Sequence, residues 1–156
     1  MILFLRQLGC IFCQETLSDL SIKRPWIEKR GLQLLLVHMA SNERAGSVFK
    51  EYQLDDVPRV SDADRKLYNY FELKRGNLSQ LMGFNVWLRG IKAFSAGHTF
   101  RPQESDPKQL AGAFLIEEMK IRGAFRHASA CDQLDLEHFI CQVGDATTNQ
   151  HLRKKI

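Results

Sequence analysis

Met1-Ile2-Leu3-Phe4-Leu5-Arg6-Gln7-Leu8-Gly9-Cys10-Ile11-Phe12-Cys13 is the stretch that decides the fold class. Its first eight residues form a short, mostly apolar run with strand character, Gly9 ends that run, and two cysteines follow at Cys-x-x-Cys spacing. Beyond the turn, Cys13, Leu17, Leu20 and Ile27 recur at helical spacing, which predicts an amphipathic helix kinked or broken near Pro25. Leu32 to Val37 is then almost continuously apolar, the pattern of a parallel strand covered on both faces. Strand, helix, strand is the opening unit, and both thiols stand at its first junction.

Working outward, Ser41 is a predicted N-cap for a second helix with the stripe Ala45, Val48, Phe49 and Tyr52. Val57 to Val60 reads as a short strand entered through Pro58, and Ser61 or Asp62 caps a third helix that turns Leu67, Tyr70 and Phe71 inward. Phe84, Trp87, Leu88, Ile91 and Phe94 mark a fourth helical stripe between Gly83 and Gly97. Ala113 to Ile116 and Met119 to His127 read as a hairpin with Glu117 and Glu118 at its turn. Leu136, Phe139, Ile140 and Val143 form a closing helix that Gly144 can terminate. The expected order is β-α-β-α-β-α-α-β-β-α, an α/β class with a mixed central sheet, helices on both faces and a C-terminal hairpin plus helix. That order is compatible with a thioredoxin-like core. No repeat or linker divides the chain, so residues 1–144 are expected to form one domain and residues 145–156 a polar, basic tail.

Composition bounds the function. At 156 residues, 44% hydrophobic and 26% charged, the chain has the make-up of a globular domain that folds without disulfide staples. The formal charge is +4, but Arg153, Lys154 and Lys155 supply three of the 22 basic residues, leaving 19 against 18 acids. The body is nearly neutral, so no nucleic-acid face is expected. Met1 to Leu5 is too short for a signal segment and no run is long enough to span a bilayer, so no membrane partner and a cytoplasmic, reducing location are expected.

In a reducing compartment a cysteine pair calls for a chemical explanation. A thiolate at Cys10 would lie against the unpaired N–H groups and positive dipole end of the first helix, which lowers its pKa below that of a free cysteine. Three residues of separation across a helical turn also lets the two sulfurs bond. Cys10 is then the nucleophile, and Cys13, on the buried side of the first turn, is the resolving thiol. Arg6 either adds positive charge nearby or points to solvent. His38, at the end of the second strand, either approaches Cys10 or is a hydrogen-bonded strand-end histidine.

The alternatives are two half-buried core cysteines, a metal-binding Cys-x-x-Cys pair, and a non-enzymatic binding module that uses the aromatic helix Phe84 to Phe94. Cys131 and Cys141 read as packing or incidental residues, with a distal resolving role for Cys131 left open. His98, His127, His138 and His151 have no spacing that favours a site. No second Cys-x-x-Cys, phosphate-cradling glycine loop or Ser/His/Asp order is present, and no cofactor is expected.

The run Leu5 to Cys13 resembles the strand-to-helix motif of the peroxiredoxin-like branch of the AhpC/TSA family, particularly the group related to selenoprotein L. The resemblance continues through Leu36-Val37-His38-Met39, Asp55-Asp56-Val57-Pro58-Arg59-Val60-Ser61-Asp62, Leu67-Tyr68 with Phe71, Gly112-Ala113-Phe114-Leu115-Ile116 and Phe125-Arg126-His127. It implies a thioredoxin fold, a three-layer α/β/α sandwich, and thiol-based reduction of a hydroperoxide or a protein disulfide. Thioredoxin, glutaredoxin or glutathione would return the electrons. Peroxiredoxins carry Thr or Ser three residues before the reactive cysteine, where this chain has Gln7, and their first hairpin precedes the point at which this chain starts. An unpaired sheet edge at which a homodimer could form is the corresponding expectation.

Overall fold

The computed structural model describes residues 1–76, 106–129 and 132–143. Their elements are β1 (Ile2–Phe4), α1 (Ile11–Lys29), β2 (Leu35–His38), α2 (Asn42–Glu51), β3 (Arg59–Ser61), α3 (Lys66–Tyr70), β4 (Gly112–Glu117), β5 (Lys120–Arg126) and a last helix, α4, over residues 136–143. The predicted helical stripe Phe84 to Phe94, Cys131, His98, His151, Gly144 and the basic tail lie outside the described residues.

The strands form one mixed five-stranded sheet in the order β3-β2-β1-β4-β5. β1 pairs parallel with β2, Phe4 opposite Val37, and antiparallel with β4, Phe4 opposite Gly112. This α/β architecture is compatible with a thioredoxin-like fold. β1 is central, and like its neighbours β2 and β4 it is apolar on both faces. Leu3 and Leu5 join Leu17, Leu20 and Ile27 of α1, Phe49 of α2 and Leu136 of α4 in one core. Phe4 joins Val37, Tyr68, Phe71 and Phe114 in a second. Period-two alternation sends neighbouring residues to opposite faces of the sheet, so each face carries its own core.

Local chemistry accounts for most boundaries. Ser41 accepts a hydrogen bond from the Arg44 N–H at 3.3 Å, the capping contact its position predicts. Asp135 caps α4 in the same way, accepting from the His138 N–H at 3.0 Å. The hairpin turn is Glu118-Met119, both at positive φ as a two-residue hairpin of the primed type requires, and Glu117 belongs to β4 opposite Lys120. A bulge at Leu115/Ile116 shifts the register of the β4–β5 ladder.

Four expectations need correction. β1 ends at Phe4: Leu5 still donates to the Val37 carbonyl, but the chain then turns, with the Cys10 N–H bonded to the Gln7 carbonyl at 3.0 Å. The ladder of β2 likewise begins at Leu35, where the short β1 can meet it. α1 is not broken at Pro25. A proline removes one helical hydrogen bond, while Leu20 and Ile27 on either side are fully buried and hold both halves against the sheet. The third helix has five residues; Leu67 and Phe71 face the core as expected, but the inward tyrosine is Tyr68, fully buried, whereas Tyr70 is 80% exposed.

The reason for this last difference is polar. The Tyr68 hydroxyl donates toward the Leu5 carbonyl at 2.5 Å and the Val37 carbonyl at 3.2 Å, joining the ends of β1 and β2 beneath the cysteine turn. Asp62 holds α3 in place by accepting from the N–H groups of Lys66, Leu67 and Tyr68 at 2.9, 2.8 and 3.2 Å. Gly112, where β4 begins, has no room for a side chain: a Cβ there would lie 2.8 Å from the Phe125 carbonyl oxygen. Replacing Tyr68 by Phe leaves the buried Leu5 carbonyl short of a donor, while Val37 keeps the Leu5 N–H, and a loss of about 1–3 kcal/mol in urea unfolding is expected. An unchanged midpoint would show that the hydroxyl does not tie the strand ends together.

Candidate functional site

Cys10 is the N-cap residue of α1, with φ −79° and ψ 134°. The extended backbone there is the transition from β1 to α1, and it leaves the sulfur at the helix mouth. Cys13, one turn on, belongs to the buried stripe of the helix. Both are buried free thiols, 6% and 5% exposed, near enough for each to shift the ionisation of the other. The Arg6 guanidinium donates to Cys10 Sγ at 3.4 Å, and the Gln7 N–H donates to Cys13 Sγ at 3.3 Å.

These contacts divide the labour between the sulfurs. The hydrogen bond from the Cys13 thiol is the largest influence on Cys10. Arg6 and the backbone N–H groups of Phe12 and Cys13 act in the same direction, and together they outweigh burial and bring Cys10 down to about 6. At pH 7 a thiol of that pKa is about nine-tenths thiolate. The same hydrogen bond, burial and the negative charge of Cys10 push Cys13 well above the ordinary thiol range. Cys10 is thus the sulfur that ionises first, and Cys13 keeps its proton.

Arg6 is itself held. Its Nε and Nη2 donate to the Pro107 carbonyl at 3.3 and 3.0 Å, and the adjoining Asp106 takes ion pairs from Arg65 at 2.6 Å and Arg75 at 2.8 Å. Of the two sequence readings for Arg6, the structure places it beside the thiol. No family model, curated protein or solved structure matches the chain.

His38 is placed differently. It ends β2 fully buried, its Nδ1 lies 3.0 Å from the Ala40 carbonyl oxygen, and its ring stands edge-on to Phe49 at 5.6 Å. Burial lowers its pKa. This is the hydrogen-bonded strand-end histidine. Cys141 is exposed on α4, which removes the packing role expected for it. Among the described residues no group of three or more His, Cys, Asp or Glu side chains could hold a metal ion, and no helix is long and apolar enough to cross a membrane.

Sequence reasoning missed His127 and Asp132. Both line a crevice of about 20 Å³ beside Cys13, together with Arg6, Phe12, Thr16, Ala111 and Ser129. The signal that finds them is topological. Gly112, at the start of β4, pairs with Phe4 on one side and Arg126 on the other, so the hairpin delivers its last residues to the edge where the cysteine turn begins.

Replacing Arg6 by Gln removes the guanidinium while leaving a polar side chain. The pH at which Cys10 alkylation by iodoacetamide is half-maximal should rise from about 6 toward the value of a free thiol. An unchanged midpoint would show that the guanidinium does not act on Cys10.

Proposed function

We propose that the protein is a thiol-disulfide redox protein of peroxiredoxin-like type, with Cys10 as nucleophile and Cys13 as resolving cysteine, built as a thioredoxin-like three-layer α/β/α sandwich. The single observation that carries the reading is the pair of free thiols one turn apart at the helix mouth, with the Arg6 guanidinium donating to the first of them at 3.4 Å. The resemblance of the Leu5 to Cys13 run and of the matching segments downstream to the AhpC/TSA family supports the same reading, as does the strand order of the sheet.

The cycle follows from the protonation states. The Cys10 thiolate attacks the outer oxygen of a hydroperoxide, the O–O bond breaks, and Cys10 becomes a sulfenic acid as the alkoxide or hydroxide leaves with the electron pair and takes a proton from solvent. Cys13 then attacks the Cys10 sulfur, an S–S bond forms, and the hydroxyl departs as water. With a disulfide substrate, Cys10 attacks one sulfur and releases the other half as a thiolate, and Cys13 resolves the mixed disulfide in the same geometry. Two thiols from thioredoxin, glutaredoxin or glutathione restore the pair and are themselves oxidised to a disulfide. The cytoplasm is the compartment in which such a cycle starts from free thiols, the form Cys10 and Cys13 have here.

Turnover of hydrogen peroxide against a protein disulfide, each coupled to thioredoxin and its reductase, separates the two oxidants. One equivalent of the better oxidant should convert Cys10 and Cys13 into a bridge found by peptide mass mapping. Cys10→Ser should abolish turnover, and Cys13→Ser should stop at a sulfenic acid or mixed disulfide on Cys10. A bridge that never forms in the wild-type protein would rule out the reading.

A further inference from the structure

The cycle leaves one group without a partner for its chemistry. Cys13 must lose a proton before it can attack, yet it is a buried thiol whose proton is held in the hydrogen bond to Cys10. Once Cys10 is oxidised or blocked, that thiolate partner is gone and another base is needed. The crevice beside Cys13 offers candidates from several elements. Arg6 comes from the segment after β1, Thr16 from α1, His127 from the end of β5, and Ser129 and Asp132 from the connection to α4.

Arg6 is a cation and Thr16 is occupied, its hydroxyl donating to the Phe12 carbonyl at 2.9 Å. Asp132 is committed to its own loop, accepting from the N–H groups of Ala128 and Ser129 at 2.6 and 3.0 Å and from the Ser129 hydroxyl at 2.6 Å. These contacts hold it ionised and well suited to orient a neighbour, and poorly suited to take a proton. His127 remains. Its backbone N–H is anchored to the Ala111 carbonyl at 3.1 Å and its ring rests against Phe125 at 5.2 Å. A neutral imidazole carries a lone pair on one ring nitrogen, and that nitrogen can accept a proton. Tyr68, which also feels the charge of Cys13, keeps its proton because burial holds its hydroxyl pKa far above neutral.

We propose that His127 is the general base for the resolving step, taking the Cys13 proton through one water held in the crevice that Cys13, His127 and Asp132 line. The inference rests on the redox reading of the cysteine pair. A volume of about 20 Å³ has room for one water, and a general base can act through a single bridging water. Burial lowers the pKa of His127 while Asp132 raises it, and the balance keeps the imidazole neutral, hence able to accept, at pH 7. The step balances. The Cys13 proton passes to the water as a water proton passes to His127, the Cys13 thiolate attacks Cys10 Sγ, and the group on Cys10 leaves with its electron pair. If that group is hydroxide from a sulfenic acid, His127 returns the proton and water is the product. If it is a thiolate, the proton stays on His127 and is lost to solvent.

An aromatic disulfide that releases a coloured thiolate, dithiobis(nitrobenzoate), reads the two steps separately in the full chain with Cys131→Ser and Cys141→Ser. Attack by Cys10 releases one equivalent at a rate proportional to reagent. Attack by Cys13 on the resulting mixed disulfide releases the second at a rate independent of it. The second rate should fall as pH drops through the His127 pKa, measured independently by NMR of the imidazole. His127→Gln should slow it at pH 7 by about tenfold or more while leaving the first unchanged, and the residual rate should climb steadily with pH. Asp132→Asn, by removing the charge that favours imidazolium, should move the inflection to lower pH. A wild-type second rate with no inflection at the imidazole pKa overturns the proposal whether or not the variants fold. So does an unchanged second rate in His127→Gln. A wild-type protein that gives the first release and never the second defeats the reading of the cysteine pair itself.

Discussion

The electrostatic coupling of two sulfurs at the mouth of α1 stands at the centre of this structure. It lowers the pKa of Cys10 and raises that of Cys13, so the proton stays on the inner sulfur. A buried thiolate is costly unless charge and donors compensate it. Here the compensation comes from Arg6, from two N–H groups of the first helical turn and from the partner thiol. Cys10 can therefore carry charge while 6% exposed, and Cys13 stays neutral one turn below it. On the proposed reading this arrangement also sets the redox balance. The stabilised thiolate exists only in the dithiol form, so the contacts that favour it make the disulfide a stronger oxidant.

The sheet exists, in functional terms, to hold that turn. β1 is three residues long and central, and its end is tied to β2 by the Leu5 to Val37 hydrogen bond and by the Tyr68 hydroxyl that bridges both strands. β4 approaches from the other side through Gly112, whose missing side chain allows close contact with the Phe125 carbonyl. The Arg6 side chain is fixed by the Pro107 carbonyl just before β4, and Asp106 fastens that segment to Arg65 and Arg75. The positions of both sulfurs thus depend on contacts contributed by residues about 60 to 100 positions away along the chain.

How much of this was legible in the sequence depends on whether the information is local. Helix stripes such as Cys13, Leu17, Leu20 and Ile27, the Ser41 cap and the position of the cysteine turn follow from periodicity and turn chemistry, and they stand where expected. The choice of tyrosine in α3 was not legible. Leu67 and Phe71 turn inward as their spacing predicts, but Tyr70 fits that spacing as well as Tyr68 does, and the Leu5 carbonyl waiting for a donor selects Tyr68. His127 and Asp132 were missed for the same kind of reason. Their nearness to Cys13 arises from strand pairing across more than a hundred residues and leaves no spacing signature. Arg6 was readable as a candidate, since it lies four residues before Cys10, but its direction is fixed by Pro107.

The central claim is that the two sulfurs titrate apart, and ultraviolet absorbance of the thiolate against pH tests it most directly. In reduced protein with Cys131→Ser and Cys141→Ser, the account predicts one thiolate appearing with a midpoint near 6 and the second only in strongly alkaline solution. Two thiols ionising together at about 8.5, as free cysteines do, would contradict it.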